Sequence, residues 1–193
     1  MQLELITNPG STATFIAGFV MLIAGFIVYT RDKDKKSNLH FLLLSLSAAL
    51  WSITLGLFEI TQNAYIANYL LVLVYITAAI IPLALLFFSL ALATEKINLS
   101  RLKFIFVLLP FILISVGLLI PDFMLKNMDG FDGGAKTIAF GTWFPLFIAY
   151  ILAYLFLSLG ILIKRYHESA GIFKVELRSI LLSTVAAILF SLS

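Results

Sequence analysis

The chain has 193 residues, of which 62% are hydrophobic and 12% charged; it has a net charge of +3 and no cysteine. Soluble domains are about 45–50% apolar and roughly a quarter charged, so this composition excludes an ordinary water-soluble fold. The lack of cysteine excludes disulfides and thiolate metal sites. The positive charge does not indicate nucleic-acid binding, because the basic residues form short clusters between long apolar runs.

Six apolar runs approach the roughly 20 residues that a membrane-spanning helix needs. In chain order they predict helices at about 13–30, 39–60, 64–94, 104–120, 142–163 and 179–193. We therefore expect an all-α, polytopic transmembrane bundle with five complete helices. The sixth run would rise only about 22 Å against a hydrocarbon core of about 30 Å. We expect that this helix is truncated and that the chain is a fragment of a longer protein.

The basic residues alternate between the two ends of the predicted helices. Eleven lie in the connections 31–38, 95–103 and 164–178, whereas the opposite connections contain only Lys126 and Lys136. The positive-inside rule assigns the basic connections to the cytoplasm. The sequence thus predicts a multi-pass protein of the plasma membrane with an extracytoplasmic N-terminus.

The first predicted helix contains the sequence AGF twice, seven residues apart. This spacing brings four small residues to one face of the helix: Ala17, Gly18, Ala24 and Gly25. Small residues allow membrane helices to approach closely. We expect this face to be a helix-packing seam, within the chain or with a second copy of it in a homodimer.

Four aromatic residues with polar groups fall near mid-membrane depth: Trp51, Tyr75, Tyr150 and Tyr154. Tyr150 and Tyr154 share a helix face, and a buried indole or phenol needs a hydrogen-bond partner. The four could pack between helices, or they could line a pocket that is open to the outer leaflet and binds an unknown small molecule or lipid. Glu59, near the end of the second helix, is either a hydrated interfacial carboxylate or a further residue of that site.

Two prolines lie inside predicted helices. Pro82 interrupts the third helix and Pro110 the fourth, and each removes a backbone N–H. A proline typically kinks a helix at that point. We expect two kinks, which either give the helices their shape or act as hinges.

The remaining polar residues do not form a recognisable chemical site. Asp129 and Asp132, in the long connection after the fourth helix, lack the spacing of a calcium-binding loop. His40 and His167 lie at helix ends, away from any nucleophile or phosphate-binding motif. We expect no catalytic residue, no metal site and no cofactor in this chain. The long connection is a candidate lid or partner surface.

The stretch ALWSITLGLFEI and the following NYLLVLVYITAAIIPLALLFFSLALA resemble the N-terminal seven-helix membrane region of bacterial sensor histidine kinases. The later stretch YILAYLFLSLGILIKRYHESAGIFKVELRSILL is similar to the fifth helix, basic loop and sixth helix of that family. The residues that carry the resemblance in the second and third helices are Trp51, Tyr75, Pro82, Phe87 and Phe88. It implies a seventh helix that leads to cytoplasmic modules, such as a PAS domain and a dimerising kinase, or a diguanylate cyclase.

Three functions are compatible with these features. A signal-input domain would pass an external or intramembrane cue to a cytoplasmic output module of a two-component system. A small transporter or channel subunit would need a polar conduit, which the scarcity of charge inside the predicted helices disfavours. A structural membrane protein would only scaffold a complex. The expected partners are the lipid bilayer and an unidentified ligand, but not nucleic acid.

Overall fold

The computed structural model describes residues 9–93, 100–126, 136, 138–171, 174–175 and 177–182. It contains five long helices: α1 (Pro9–Arg31), α2 (Lys36–Ile60), α3 (Ala64–Ala93), α4 (Arg101–Leu119) and α5 (Phe144–Glu168). Each is long and apolar enough to cross a membrane. The described residues from 171 to 182 are also helical and belong to a short sixth helix. The predicted all-α, polytopic bundle is confirmed.

Some helices extend beyond the apolar runs that predicted them. The helix predicted to begin at residue 104 begins at Arg101, where the Ser100 hydroxyl accepts a hydrogen bond from the Lys103 amide at 3.5 Å. The helix predicted to end at residue 163 continues to Glu168, with basic residues in its last turn that complement the helix dipole. Hydropathy marks the part of a helix in hydrocarbon, whereas backbone hydrogen bonding continues into the polar interface. Of the predicted helix at 179–193, residues 183–193 lie outside the described part of the chain.

The α3 helix is the centre of the bundle, since it packs against α2, α4 and α5, whereas α1 packs mainly on α2. Short connections join α1 to α2, α2 to α3 and α3 to α4, and a hydrogen bond from the Trp143 amide to the Phe123 carbonyl holds the start of α5 beside the end of α4. Successive helices therefore run antiparallel. The ends of α1, α3 and α5 and the starts of α2 and α4 therefore share one end of the bundle. We call this end, which carries the basic residues of 31–36 and 101–103 and those of the last turns of α5, the basic end.

Two glycines allow α1 to approach α2 closely. Gly18 and Gly25 are both buried. A Cβ on Gly25 would lie 2.6 Å from the Cβ of Ser45, and one on Gly18 would lie 3.2 Å from the Cβ of Ser52. Because the contacted atoms are attached directly to the α2 backbone, the helices would have to separate to admit a side chain at Gly25.

The other two residues of the predicted seam lie at its margin. Ala17 is exposed and Ala24 is half-buried. A further contact of the same kind reverses the roles of the helices: Phe15 of α1 lies against Gly56 of α2, where an added Cβ would come within 2.8 Å of the ring. The seam that the structure shows is therefore between α1 and α2 of one chain.

A short antiparallel bridge between Leu125 and Phe140 closes the connection from α4 to α5. The Gly141 amide donates to the Met124 carbonyl at 2.9 Å. A Cβ on Gly141 would lie 2.4 Å from the carbonyl oxygen of Phe123, so only glycine fits this close approach. The bridge fixes where α5 begins relative to the end of α4.

Replacing Gly25 with alanine should destabilise the bundle by about 1–3 kcal/mol, because the added methyl group overpacks the α1–α2 contact. Gly160→Ala is the matched control, since a Cβ there meets nothing within 4 Å. In a helix interior the control should be neutral or stabilising by up to about 1 kcal/mol. Thermal unfolding in detergent measures both changes; equal stability of the two variants would contradict the close α1–α2 contact.

Candidate functional site

Tyr150 and Tyr154 lie buried on one face of α5, with ring centroids 4.6 Å apart. The Tyr150 hydroxyl donates to the carbonyl oxygen of Ala79 in α3 at 2.8 Å. The Tyr154 hydroxyl donates to the carbonyl oxygen of Val107 in α4 at 2.5 Å. We call these two hydrogen bonds the tyrosine links. They join one face of α5 to two other helices.

Each tyrosine link ends in the helical turn that precedes a proline. Ala79 is three residues before Pro82, and Val107 is three residues before Pro110. A proline lacks the N–H that its helix needs, and its ring crowds the carbonyls of the preceding turn. Membrane helices tolerate this when a neighbouring helix supplies a replacement donor. The carbonyls that the two prolines leave without a helical donor are those of Ala78 and Phe106, four residues earlier. Tyr150 and Tyr154 donate to the adjacent carbonyls, those of Ala79 and Val107, in the same two turns.

Both proline-containing helices are continuous. The α3 helix runs through Pro82 and α4 runs through Pro110 without a break in helical conformation. The use of these residues as kinks or hinges stays a prediction. The turn before each proline accepts a hydrogen bond from a tyrosine of α5. The spacing of residues in the sequence does not predict these two contacts.

Tyr75 belongs to a different group of aromatic residues. Its ring makes edge-on contacts with the rings of Phe140, Phe144 and Phe147, at centroid distances of 6.3, 5.6 and 5.3 Å. These residues form an aromatic cluster around the start of α5, at the end opposite the basic end. Trp51 is half-buried and packs against the same apolar core. A ligand-binding role for these residues stays a prediction.

Glu59 is half-buried in the last turn of α2, with a carboxylate oxygen 3.5 Å from the Thr14 hydroxyl. The Lys136 ammonium donates to the carbonyl oxygen of Glu59 at 2.8 Å and also to that of Phe58. The same ammonium lies 4.8 Å from the Phe58 ring centroid. A cation at the C-terminus of a helix satisfies its last carbonyls and complements its dipole.

Partial burial lowers the pKa of Lys136 from its ordinary value, and the negative charge of Glu59 opposes this change. Lys136 thereby attaches the long α4–α5 connection to the end of α2. In the sequence, Lys136 is distinguished only as one of two basic residues outside the basic connections. Because the contact spans 77 positions in the chain, local spacing carries no signal for it.

The structure also shows a contact between two threonines that the sequence does not predict. The hydroxyls of Thr54 in α2 and Thr77 in α3 lie 3.1 Å apart, and both are buried. Each hydroxyl also lies within hydrogen-bond distance of a carbonyl of its own helix, so one of them can donate to that carbonyl while the other donates across the pair. The only signal available was one threonine near mid-depth in each of two consecutive apolar runs.

Several of the buried polar side chains among the described residues are hydroxyls that bond to the helix backbone. Within the part of the chain that the structure describes, no group of three or more histidine, aspartate or glutamate side chains is close enough to hold a metal ion. The buried hydroxyls of Ser47, Ser89 and Ser158 each donate to the carbonyl four residues earlier in their own helix. These three hydroxyls therefore bond within their own helices.

Removing the Tyr154 hydroxyl by Tyr154→Phe should cost about 1 kcal/mol of unfolding free energy, the usual net value of a hydrogen bond. In a Pro110→Ala background the cost should shrink, because alanine removes the ring that crowds the preceding turn and so changes the position of the Val107 carbonyl relative to Tyr154. A double-mutant cycle measured by unfolding in detergent reports this coupling.

The same cycle has a built-in control. Tyr154→Phe combined with Pro82→Ala should be additive, and Tyr150→Phe should couple to Pro82→Ala but not to Pro110→Ala. If neither pair shows coupling, the tyrosines do not support the proline turns.

Comparison with known families provides independent information on the whole chain. Residues 13–193 match the family described as the N-terminal 7TM region of histidine kinase. Curated proteins and solved structures give no match. The family match covers nearly all of the chain, and it agrees with the five apolar spanning helices and with the resemblance carried by Trp51, Tyr75 and Pro82. The chain belongs to the family of N-terminal seven-transmembrane regions of histidine kinases.

Proposed function

We propose that this chain is a signal-input domain that converts an external or intramembrane cue into a change of helix packing read by a cytoplasmic output module. Membership of the histidine kinase 7TM family supports a sensor region. The observation that carries the proposal is the pair of tyrosine links. They connect one helix to the turns before Pro82 and Pro110, and a proline typically kinks a helix at that point.

The tyrosine links give the bundle a way to have two arrangements of similar free energy. Each hydrogen bond contributes about 1 kcal/mol. Forming or breaking both therefore changes a two-state equilibrium by about thirtyfold. A cue shifts such an equilibrium only if it binds one arrangement more tightly than the other. A small displacement of α5 would be sufficient, because both hydroxyls lie on the same face.

The proposed orientation places the basic end in the cytoplasm and the N-terminus outside, in line with the distribution of lysine and arginine. In this orientation the aromatic cluster of Tyr75, Phe140, Phe144 and Phe147 lies toward the extracytoplasmic end of the bundle. Lys136 and Glu59 lie at the same end of the bundle. This end is our candidate for cue binding, with Trp51 beneath it in the core.

In the complete kinase, Tyr150→Phe and Tyr154→Phe should each change the autophosphorylation rate several-fold without reducing the amount of protein in the membrane. The expected cause is a shift between packing arrangements. The assay is phosphate incorporation in native membranes, normalised to the quantity of kinase.

Tyr69→Phe is the matched control. Tyr69 is exposed, and its hydroxyl bonds to that of Tyr65 on the same helix, so its loss should leave output unchanged. If all three variants retain wild-type output, the tyrosine links hold the bundle together without transmitting a signal.

The orientation can be tested by cysteine labelling, because the chain has no cysteine of its own. A membrane-impermeant maleimide added to intact cells should label Gln62→Cys, in the connection between α2 and α3. It should not label Lys33→Cys, in the basic connection between α1 and α2, until the cells are opened. The reverse pattern would overturn the proposed orientation.

A further inference from the structure

A groove of about 930 Å³ lies between α2, α3 and α4 and reaches the basic end of the bundle. It is separate from the tyrosine links and from the aromatic cluster, since none of those side chains lines it. Its volume falls in the upper part of the range of ligand pockets, roughly 300–1,000 Å³.

The groove has a charged mouth. Lys36 is the first residue of α2 and Arg101 is the first residue of α4, so both lie at the level of the basic end. His40 lies one turn further along α2, and its Nδ1 is 2.8 Å from the Lys36 carbonyl oxygen. None of the described residues that line the groove is acidic. The mouth therefore favours an anionic group.

Beyond the mouth the lining is apolar. Leucines of α2 and α3 and the Ala84 side chain form the walls. The lining hydroxyl of Ser47 donates to the Leu43 carbonyl at 2.8 Å, so it is already used by its own helix. From Lys36 to Leu50 the groove follows α2 for about 21 Å. That length matches one leaflet, which is half of a 30 Å hydrocarbon core together with its interface.

Aromatic rings separate the charged mouth from the apolar part. The His40 ring is 6.5 Å from that of Phe87, and the Phe87 ring is 5.8 Å from that of Phe104. These three rings come from α2, α3 and α4. The outer rim of the groove is open sideways, with Leu46 and Ile105 exposed by 42% and 58%. In a spanning bundle such side chains face lipid, so an occupant can enter from the bilayer.

We infer that this groove binds one anionic phospholipid from the leaflet at the basic end. The phosphate lies between Lys36 and Arg101, which offer charge-assisted hydrogen bonds, and an acyl chain follows the leucines of α2. The inference does not depend on a signalling role. It rests on the match of charge and length between the groove and an amphiphile.

Charge complementarity distinguishes this occupant from the chain itself. The segment 183–193, STVAAILFSLS, is apolar and contains no acidic residue. It could cover the apolar walls, but it would leave Lys36 and Arg101 without a counter-charge at the mouth. An anionic phospholipid satisfies both parts of the groove.

The complete chain, reconstituted in nanodiscs that contain phosphatidylglycerol and phosphatidylcholine with the same acyl chains, tests the inference. Native mass spectrometry counts the lipids retained after release from the disc. The wild type should retain phosphatidylglycerol in preference to phosphatidylcholine. Lys36→Gln combined with Arg101→Gln should weaken that retention by about thirtyfold, since each basic side chain near the surface acts on the same anionic lipid.

Two further variants separate the effect of charge at the mouth of the groove from the effect of overall charge and from the effect of the apolar walls on lipid retention. Lys33→Gln combined with Lys164→Gln removes the same number of charges from positions at the basic end that do not line the groove, and it should change retention less than about twofold. Ala84→Phe fills the apolar part without changing charge and should abolish retention, with folding checked by the thermal unfolding transition. Equal retention of the two lipids by the wild type, or unchanged retention in the Lys36→Gln/Arg101→Gln variant, would overturn the inference.

A disulfide test addresses occupancy by the chain. If Leu46→Cys forms a disulfide with Ala187→Cys in native membranes, the groove contains the segment 183–193 and the lipid inference is wrong. If no disulfide forms while phosphatidylglycerol is retained, the lipid is the occupant.

Discussion

In hydrocarbon, a backbone carbonyl that loses its helical partner has no water to replace it, and each such group costs several kcal/mol. The chain has a proline within each of two spanning helices, so one carbonyl in each of these helices loses its helical hydrogen-bond donor. In both cases a buried tyrosine hydroxyl from α5 bonds to the carbonyl next to the one that the proline leaves unpaired. The position of α5 is therefore coupled to the local geometry of α3 and α4.

The α1–α2 pair is built on a different principle. Glycines and serines bring the two backbones together, and the contact depends on close packing rather than on hydrogen bonds. The contact of α5 with α3 differs, because it combines buried aromatic and apolar side chains with the Tyr150 hydrogen bond.

Much of the fold could be predicted from the sequence because the bilayer makes hydropathy informative. A spanning segment has to satisfy its own backbone, so a long apolar run indicates a helix with few alternatives. The five spanning helices, the family and the shared face of Tyr150 and Tyr154 followed from local patterns. Their hydrogen-bond partners did not, because the carbonyls of Ala79 and Val107 belong to other helices. The contacts between the turns of two helices depend on how each helix is rotated about its axis and how deep it lies in the membrane. The periodicity of the sequence determines neither quantity.

The same reason explains what the sequence missed at the two ends of the bundle. Lys136 reaches the end of α2 across 77 positions, and the groove at the basic end combines residues of three helices. In both places a feature is formed only when distant segments meet. Charge counting recognised the basic residues as a group, but it could not show that Lys36 and Arg101 lie on either side of a groove.

The Leu125–Phe140 bridge, together with the close contact at the adjacent Gly141, has a geometric consequence for α5. It anchors the chain a few residues before the helix begins, and each helical residue turns the helix by about 100°. Adding or deleting one residue between Gly141 and Tyr150 would rotate both hydroxyls away from α3 and α4 together. The length of that short segment thus sets the rotation of the whole α5 helix about its axis. Insertions or deletions between Leu125 and Phe140, which the bridge encloses, would not change this rotation.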